Sequence, residues 1–449
     1  MLDSGEVSDG SRLPQGSKIH SLLAAKFPDY FERRLRAKRP PFMSADVSAF
    51  LDCGDIKRSR ATLECGKCGF RRDMPLSCKR RSFCEPCVVR RQQDRSKFLH
   101  RDVLGDTPVR LWTTTLPYPL RTALGSDTEL VTQVLNVIIH RITRYIRLTI
   151  KHQLKLSTVD IVHPGAVTSI QRVSSALEPN VHFHCLFTGG AFVRLADGDP
   201  LTFVPLPQPT DEVLAELARD ICRGVRKLLF GLGRWEGLPS EDPQIECGVF
   251  LARDARPTKC RMTGVAAGQQ APDGVGAFNI DASRSVEGGD APNLRRMVQY
   301  LLAPAVRDRQ LTLQRDGVVY ELKRPRRDGT THRQYTNDQM LDRLGFLVPP
   351  PRANLVRFHG VYAPNSDLRP EVVPQQPSSR PEDPPDETEE PSEDHLAWSE
   401  LKSHSFAEDM MHCPRCAGRL VLVALRTHRI NYRRRPANTS RQPTAPPEN

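Results

Sequence analysis

The sequence predicts an α+β protein in which a small cysteine-rich segment precedes a larger domain of strands and helices. Runs of β-branched and aromatic residues indicate strands, and apolar residues spaced three and four apart indicate helices. Ahead of the strands, cysteines paired as C-x2-C have the spacing of zinc ligands. With 449 residues, the chain is long enough for about two to four domains.

The first half of the chain begins with predicted helices and continues into strands. Residues 18–52 carry apolar side chains at helical spacing, and a second helical pattern covers 130–150. Between them, the run VRLWTTTLPY from Val109 is rich in β-branched and aromatic residues and is predicted to be a strand. Two further strand-like runs, GAVTSIQRV and VHFHCLFTGG, follow the second helix and are separated by a short loop.

The second half is predicted to contain two helices, one strand and two segments without regular structure. An amphipathic helix begins at a cap formed by Thr210 and Asp211, and the strand AFNIDASRSV and the helix LRRMVQYLL come later. Residues 236–276 are rich in Gly, Pro and polar residues, which predicts a loop or an insertion. Residues 366–397 are dominated by Pro, Glu, Asp and Ser and are predicted to be a disordered linker, since they cannot bury enough apolar area to fold.

These patterns divide the chain into five parts, and no internal repeat of fixed period is visible. In chain order they are an N-terminal helical segment, a zinc-binding segment, a larger α+β domain that includes the insertion, an acidic linker, and a short C-terminal segment with one C-x2-C pair and a basic tail: 1–52, 53–100, 105–365, 366–397 and 398–449.

The overall charge favours an anionic partner. Lysine and arginine exceed aspartate and glutamate by 65 to 53, a formal charge of +12, and nucleic acid is the commonest partner of such chains, although many basic proteins never bind DNA. The sequence lacks the run of roughly 18 apolar residues that a membrane helix needs, and it lacks an N-terminal secretory segment. We therefore expect a cytoplasmic protein whose 12 cysteines include a metal site rather than a disulfide framework.

Two C-x2-C pairs predict a structural zinc site. Cys65 and Cys68 form the first pair, Cys84 and Cys87 form the second, and 15 residues separate the pairs. Four thiolates complete a closed tetrahedral site, which leaves no open position for a substrate and therefore predicts no catalysis. Two other cysteines of this region, at 53 and 78, are left over and are either competing ligands or free buried thiols.

Basic residues around these pairs predict contacts with DNA phosphates, because a zinc-stiffened loop presents them in a fixed arrangement. The alternative is a purely structural zinc module with a solvated basic face. The residues concerned are Arg71, Arg72, Lys79, Arg80, Arg81, Arg90, Arg91 and Arg95.

A third C-x2-C pair lies beyond the acidic linker. Cys413 and Cys416 supply only half of a zinc site. His412, His404 or a partner chain could complete it, or the pair is a remnant without metal. The sequence leaves these alternatives open.

The sequence HFH at 182–184 is the only H-x-H in the chain and predicts a divalent-metal platform. Residues two apart on a strand point to the same face, so both imidazoles project together. Phe183 and the residues at intervals of two from it form the opposite row, which faces the core. Two imidazoles held in this way suit a divalent cation. The alternative is that His182 and His184 are ordinary surface histidines on a half-buried strand.

The helix that contains Tyr300 presents this side chain away from its apolar stripe. Asp290 is predicted to cap the helix, and Pro304 is predicted to end it. Tyr300 lies on the polar side, and Arg296 lies one turn earlier on nearly the same line. Such a tyrosine suits a nucleophile for a phosphodiester, with the guanidinium holding the phosphate and favouring the phenolate. The alternative is an amphipathic tyrosine at the boundary of the core.

Several segments in order resemble a known family, the rolling-circle transposases of the IS91 type, which are bacterial relatives of the HUH endonucleases. The resemblance covers roughly residues 20–365, with CPRC near the end as a weaker match. Besides the cysteine pairs, the segments that carry it are LWTTTLPYPL, GAVTSIQRVSSALEPNVHFHCLF, RRMVQYLLAP, LKRPRRDGTTHRQY and LVPPPRANLVRFHGVYAPN.

The resemblance implies a fold and a mechanism. The fold is an HUH-type antiparallel sheet flanked by helices, with the histidines on a central strand. His182 and His184 would hold one Mg²⁺ or Mn²⁺, and Tyr300 would attack the scissile phosphate to leave a 5′-phosphotyrosine and a free 3′-hydroxyl. Single-stranded or melted DNA at insertion-sequence ends would be the substrate, in the bacterial cytoplasm at the nucleoid. A homodimer is left open.

Three positions depart from the family pattern. Some members carry two tyrosines four residues apart on this helix, whereas the positions four before and four after Tyr300 are Arg296 and Pro304, which leaves a single-tyrosine scheme. Asp281 stands where family members have a histidine, and it is predicted to be the third ligand of the divalent cation. Ala303 stands where relatives often have arginine, which leaves room for an inactive copy.

Two rival functions follow from the same residues. A replication initiator of the HUH type would share the chemistry but act at a plasmid origin, and the zinc segment together with LVPPPRANLVRFHG favours the transposase. A zinc-dependent DNA-binding protein, or a transposase copy that no longer cleaves, would keep the cysteines and basic residues but would form no covalent adduct.

Overall fold

A computed structural model describes residues 14–37, 43–196, 198–233, 278–325, 328–350, 353–374 and 412–427. The chain forms two compact units, one from residues 1–80 with 398–449 and one from residues 81–397. The predicted insertion at 236–276 lies outside the described residues. The predicted linker is described only as far as residue 374, and Arg369–Val372 within it form a short helix, which we number α9.

The first unit combines two helices with a small sheet. Helix α1 spans Lys18–Arg36 and starts at Ser17, whose hydroxyl accepts a hydrogen bond from the amide of His20. Helix α2 spans Ser44–Leu51. The two helices correspond to the two stretches of helical spacing predicted within residues 18–52, and most of their large apolar side chains are buried. The antiparallel sheet has the order β14-β1-β2, with these bounds: β1 Ser59–Cys65, β2 Arg71–Pro75 and β14 Leu420–Thr427.

A five-stranded antiparallel sheet forms the centre of the second unit, in the order β13-β5-β6-β3-β9. Its strands are β3 Val109–Thr115, β5 Gly165–Val173, β6 Pro179–Thr188, β9 Asn279–Val286 and β13 Val356–Gly360. The α+β class and the antiparallel sheet flanked by helices are therefore confirmed. The strand β6, which carries the H-x-H sequence, occupies the middle of the sheet.

Three helices cover one face of this sheet: α4 Tyr118–Ser126, α5 Thr128–Leu154 and α6 Asp211–Gly231. Isoleucines at every fourth position of α5, such as Ile138, Ile142 and Ile146, are fully buried. They pack in one cluster with the apolar row of β6 and the inward face of α6. Because large aliphatic side chains contribute about 1.5–3 kcal/mol each when fully buried, this layer fixes which face of β6 points into the core.

The opposite face carries a second, smaller apolar cluster. It contains residues of α3 (Glu85–Leu99), of the π-helical turn His100–Leu104, and of α7 (Ala291–Leu301). Helix α7 is the predicted tyrosine helix, and its buried residues are Leu294, Val298 and Leu301. Helix α7 packs on the face of the sheet from which the two histidines of β6 project. The candidate site therefore lies between α7 and the sheet.

Two small sheets lie outside the central one. The first has the order β4-β7-β8 and the second the order β10-β11-β12, which is followed by helix α8. The remaining bounds are β4 Val162–His163, β7 Gly190–Val193, β8 Thr202–Pro205, a 3-10 turn at Asp308–Gln310, β10 Leu311–Leu313, β11 Gly317–Glu321, β12 His332–Thr336 and α8 Asn337–Leu347. Within the described part of the chain, every helix is too short or too polar to cross a membrane.

Candidate active site and cysteine groups

The two histidines of β6 project from the face of the central sheet that α7 covers. Their neighbours Val181, Phe183 and Cys185 are fully buried in the cluster beneath α5 and α6, on the other face. Strand alternation therefore places His182 and His184 side by side, as the sequence predicts. Their ring centroids lie 5.0 Å apart.

Each imidazole uses its Nδ1 atom for an anchoring hydrogen bond. Nδ1 of His182 lies 2.8 Å from the carbonyl oxygen of Asn180, so it donates and the proton resides on Nδ1. Nδ1 of His184 lies 3.2 Å from the hydroxyl of Thr113 on the adjacent strand. Such second bonds orient histidines that bind a metal through the other nitrogen, and they leave the Nε2 lone pair of His182 available.

Burial keeps both imidazoles neutral. Desolvation lowers the pKa of His184 to about 3, with His182 and Arg284 as further causes. Desolvation also lowers the pKa of His182, opposed by its bond to Asn180 and assisted by Arg121. A metal ligand must be the unprotonated imidazole, and these two are unprotonated at neutral pH.

The sheet register shows which polar side chains surround the histidines. Gln171 on β5 lies directly opposite His182, and Ser169 lies opposite His184. On the other side of β6, Thr113 lies opposite His184. Residues directly opposite on adjacent strands share a face with their Cβ atoms about 4.5–5.5 Å apart. Gln171 is thus an amide neighbour of the H-x-H pair that sequence reasoning missed, because nothing in the sequence indicates the register.

Asp281, the predicted third ligand, lies one strand further away. It is opposite Thr113 on β9, so Thr113 stands between it and His184. Its carboxylate is exposed and accepts a hydrogen bond from the amide of Ser283 at 3.0 Å. Among the described residues, the metal-ligand side chains that gather in groups of three or more are all cysteines, so Asp281 and the two histidines do not form such a group.

Tyr300 stands on the exposed side of α7, facing the histidines. The carboxylate of Asp290 caps the helix by accepting from the amide of Asn293 at 3.2 Å, as predicted. The tyrosine side chain is 49% exposed, whereas Leu301 beside it is buried. Its ring meets that of His184 edge to face with centroids 5.9 Å apart. The structure thereby brings together three of the predicted catalytic residues.

The guanidinium of Arg284 lies beside the ring of Tyr300. Its central carbon lies 5.3 Å from the ring centroid of Tyr300, and its charge also acts on His184. Arg296, the predicted partner, is exposed and directs its Nε to the carbonyl of Pro292 at 3.5 Å.

Sequence reasoning missed Arg284 for a specific reason. It lies three residues after Asp281, so plain strand alternation would place the two side chains on opposite faces. The register of β9 against β3 shifts between Leu111 and Thr113, so that Arg284 pairs with Leu111, whose side chain lies in the cluster under α7. A bulge of this kind turns a side chain to the other face, and here it turns Arg284 toward the tyrosine.

The C-terminal end of α7 and the turn after it are held by side chains from β5, from α3 and from the loop that follows β11. The hydroxyl of Ser169 and the amide of Gln171 donate to the carbonyl of Leu301, at 3.0 and 3.4 Å. The amide of Gln92 on α3 donates to the carbonyl of Gln299 at 2.6 Å. Lys323 donates to the carbonyl of Pro304 at 3.1 Å. The last carbonyls of a helix have no partner within it, so these bonds fix where Tyr300 stands above the sheet.

The cysteines pair differently from the prediction. Cys65 and Cys68 form a group with Cys413 and Cys416, with all ligand atoms within 4.8 Å of one another. The second such group comprises Cys53, Cys78, Cys84 and Cys87. The predicted set of Cys65, Cys68, Cys84 and Cys87 is therefore not brought together.

The C-x2-C spacing fixes the geometry within each pair. It does not determine which pairs meet, because the chain between them can follow different paths. Strand β2 carries the chain away from Cys65 and Cys68, while β14 brings the C-terminal pair back beside β1. Cys53 and Cys78, left over in the prediction, contact each other, since the amide of Cys78 donates to the sulfur of Cys53 at 3.2 Å. Each C-x2-C pair is therefore completed to a group of four by cysteines that the spacing did not predict.

The basic residues predicted to contact DNA have varied environments. Arg71 is exposed and pairs with Glu64 at 2.7 Å, and Arg80 lies 3.6 Å from Asp46. Arg81 donates to the carbonyl of Ala353 at 2.9 Å, a structural contact. Lys79 is exposed. The other four are partly buried: Arg72, Arg90, Arg91 and Arg95.

Comparison with known proteins adds two family matches. Residues 22–116 match the transposase zinc-binding domain of the IS91 type, and residues 165–368 match the transposase family Y2_Tnp, described as "Putative transposase". No curated protein and no solved structure matches the chain. The second match includes both histidines of β6 and the tyrosine of α7. The two matches, in this order along the chain, identify it as an IS91-type transposase with an N-terminal zinc-binding domain.

Proposed function

We propose that this transposase nicks and rejoins single-stranded DNA at the ends of its element, with Tyr300 as the nucleophile. The observation that carries the proposal is the contact of the half-exposed Tyr300 ring with His184, the buried member of the H-x-H pair. A tyrosine that only completed a core would join the apolar stripe of α7 instead. We assign this chemistry to the domain of residues 105–365.

The reaction is a transesterification without net hydrolysis. The phenolic oxygen of Tyr300 forms a bond to the scissile phosphorus while the bond from phosphorus to the 3′ oxygen breaks. The products are a 5′-phosphotyrosine and a 3′-hydroxyl, and attack by a 3′-hydroxyl on the phosphotyrosine reverses the step. The phosphodiester energy is retained, so the strand can be rejoined without ATP.

The residues on the α7 side of the sheet fit a hard divalent cation. His182 and His184 are neutral, and their Nδ1 atoms are already engaged. The side-chain oxygen of Gln171 supplies an oxygen ligand beside them, while its amide nitrogen points to Leu301. We therefore propose Gln171, in place of Asp281, as the third protein ligand. Bound Mg²⁺ or Mn²⁺ would polarise the phosphate as a Lewis acid.

Two arginines would serve the DNA phosphate. Arg284 stands beside the Tyr300 ring, where a guanidinium can hold a phosphate oxygen and stabilise the negative charge that develops during the attack. Arg296 lies one turn before Tyr300 on the exposed side of α7 and can contact the flanking backbone. The basic residues around the cysteine pairs, including Arg71 and Lys79, would add sequence-independent contacts to DNA phosphates.

The direct test is a denaturing gel of the full chain with labelled single-stranded oligonucleotides from the ends of the element. A covalent protein–DNA band that requires Mn²⁺ and disappears in Tyr300→Phe is the expected result. Tyr145→Phe, which alters a partly buried tyrosine of α5 in the core, is the matched control and should keep the band. Formation of the band by Tyr300→Phe would contradict the proposed nucleophile.

A second candidate function is DNA binding without cleavage. The observation that favours it is that the two histidines lack an acidic or histidine neighbour within ligand distance among the described residues. In that case the wild-type chain would bind the same oligonucleotides and contain zinc but would form no covalent band under any metal condition.

A further inference from the structure

The two C-x2-C pairs of the first group have the same backbone arrangement. The amide of Gly69 donates to the carbonyl of Cys65 at 2.9 Å, and the amide of Ala417 donates to the carbonyl of Cys413 at 2.8 Å. In both pairs, the first cysteine's own amide donates to the carbonyl five residues later. Gly69 and Ala417 adopt positive φ angles of 67° and 54°. A positive φ is energetically costly for Ala417 because alanine has a Cβ atom. Such strain is consistent with a turn that holds two sulfur atoms in a fixed orientation.

The four sulfur atoms have the spacing of a zinc tetrahedron. Sγ of Cys65 lies 3.5 Å from Sγ of Cys416, and Sγ of Cys68 lies 3.5 Å from Sγ of Cys413. A tetrahedral site with zinc–sulfur bonds of about 2.3 Å separates its sulfurs by about 3.8 Å. The sulfurs are also far beyond the roughly 2.05 Å of a disulfide, and all four cysteines are free thiols.

Little else holds the C-terminal strand in place. Strand β14 pairs with β1 from Ser59 to Cys65, but four of its large apolar side chains are exposed: Val421, Leu422, Val423 and Leu425. Among the described residues, the apolar cluster at this sheet comprises Leu63, Cys65, Met74, Cys413 and Leu420, with Phe70 packed against it. A cluster of this size contributes little stability by itself, and small sheets of this kind usually carry a covalent or metal cross-link.

We propose that one zinc ion bound by Cys65, Cys68, Cys413 and Cys416 fastens the C-terminal strand to the N-terminal sheet. The zinc-binding domain of this transposase is then assembled from both ends of the chain, although the family match for that domain ends at residue 116. Zinc binding supplies folding free energy directly at such sites. Removal of the ion should therefore release β14 and leave β1 as an edge strand.

Zinc stoichiometry of purified full-length variants tests the shared ligand set. Cys413→Ser with Cys416→Ser should lose one zinc per chain relative to wild type, and so should Cys65→Ser with Cys68→Ser. The two changes combined should still lose only one, because they remove the same ion. Cys222→Ser, outside both groups, is the control and should lose none. Full zinc content in the Cys413→Ser, Cys416→Ser variant would overturn the proposal.

A measurement on the unaltered protein guards against variants that fail to fold. Under limiting chelator, we expect the first group to become open to alkylation as one set, so that mass spectrometry finds Cys413 and Cys416 modified together with Cys65 and Cys68. Modification of the C-terminal pair while Cys65 and Cys68 stay protected would show that the pair is not part of that zinc site. Neither experiment depends on DNA cleavage, so their outcome is separate from that of the proposed function.

Discussion

The histidine site and the cysteine groups were predicted by the same kind of argument, from ligand types at fixed spacing, with different success. His182 and His184 are two residues apart on one strand, and the geometry of a single strand already determines that they project together. The cysteine pairs also form local turns, but the partner of each pair depends on how distant strands meet. Spacing therefore predicts a half-site well and predicts its completion poorly.

The largest expected effect comes from removing the histidine pair. His182→Ala combined with His184→Ala should reduce formation of the covalent DNA adduct by about a thousandfold or more, because the cation loses its two nitrogen ligands. The measurement is single-turnover adduct formation in Mn²⁺. The Cys413→Ser, Cys416→Ser variant, assayed in parallel, should retain chemistry at its bound DNA. If the cysteine variant lost the chemistry and the histidine variant kept it, the roles assigned to the two regions would be reversed.

Arg284 should have the next largest effect. Replacing Arg284 with alanine removes the guanidinium beside Tyr300 and should slow adduct formation by about a hundredfold, the usual effect of losing one transition-state donor. Arg296→Ala, on the exposed side of the same helix, is the matched change and should mainly weaken DNA binding. Both follow from single-turnover rates at several DNA concentrations. A larger loss of rate in Arg296→Ala than in Arg284→Ala would restore the sequence-based assignment.

The third comparison is between Gln171 and Asp281 as metal ligands. Gln171→Ala should weaken Mn²⁺ binding at least about tenfold, about 1.4 kcal/mol, whereas Asp281→Ala should leave it nearly unchanged. Electron paramagnetic resonance of Mn²⁺ titrations measures the free ion without any DNA reaction. Gln171→Glu keeps an oxygen ligand and serves as the control that should preserve binding. The opposite order of affinities would make Asp281 the ligand and Gln171 only a support for α7.

The smallest predicted effect tests how α3 positions the tyrosine helix. Gln92→Ala removes the bond to the carbonyl of Gln299, a contribution of about 1 kcal/mol, and should lower the adduct rate a few-fold with unchanged DNA affinity. Gln93→Ala, at the exposed neighbouring position on α3, should change neither. Equal rates for both variants would mean that α7 holds its position without α3.

The sequence predicted local structure well and contacts between distant segments poorly. Strand β5 coincides with the run GAVTSIQRV, the cap of α7 follows from the aspartate at position 290, and the outward position of Tyr300 follows from helical periodicity. Gln171, by contrast, owes its place to strand register, and Arg284 owes its place to a bulge. Both features depend on pairing between strands, for which residue spacing within one segment carries no information.

The pairing of β14 with β1 has a consequence for how the protein is made. A ribosome synthesises β1 early and β14 only after residues 81–397, so the N-terminal sheet lacks its third strand while the catalytic unit is completed. The group of Cys53, Cys78, Cys84 and Cys87 is complete once residue 87 has been made, whereas Cys65 and Cys68 meet the other two cysteines of their group only after residue 416 has been made. A chain truncated within residues 81–397 would therefore form the Cys65–Cys68 turn but would lack the other two cysteines of that group. The reactive thiols of Cys65 and Cys68 would distinguish such a fragment from a chain that contains β14.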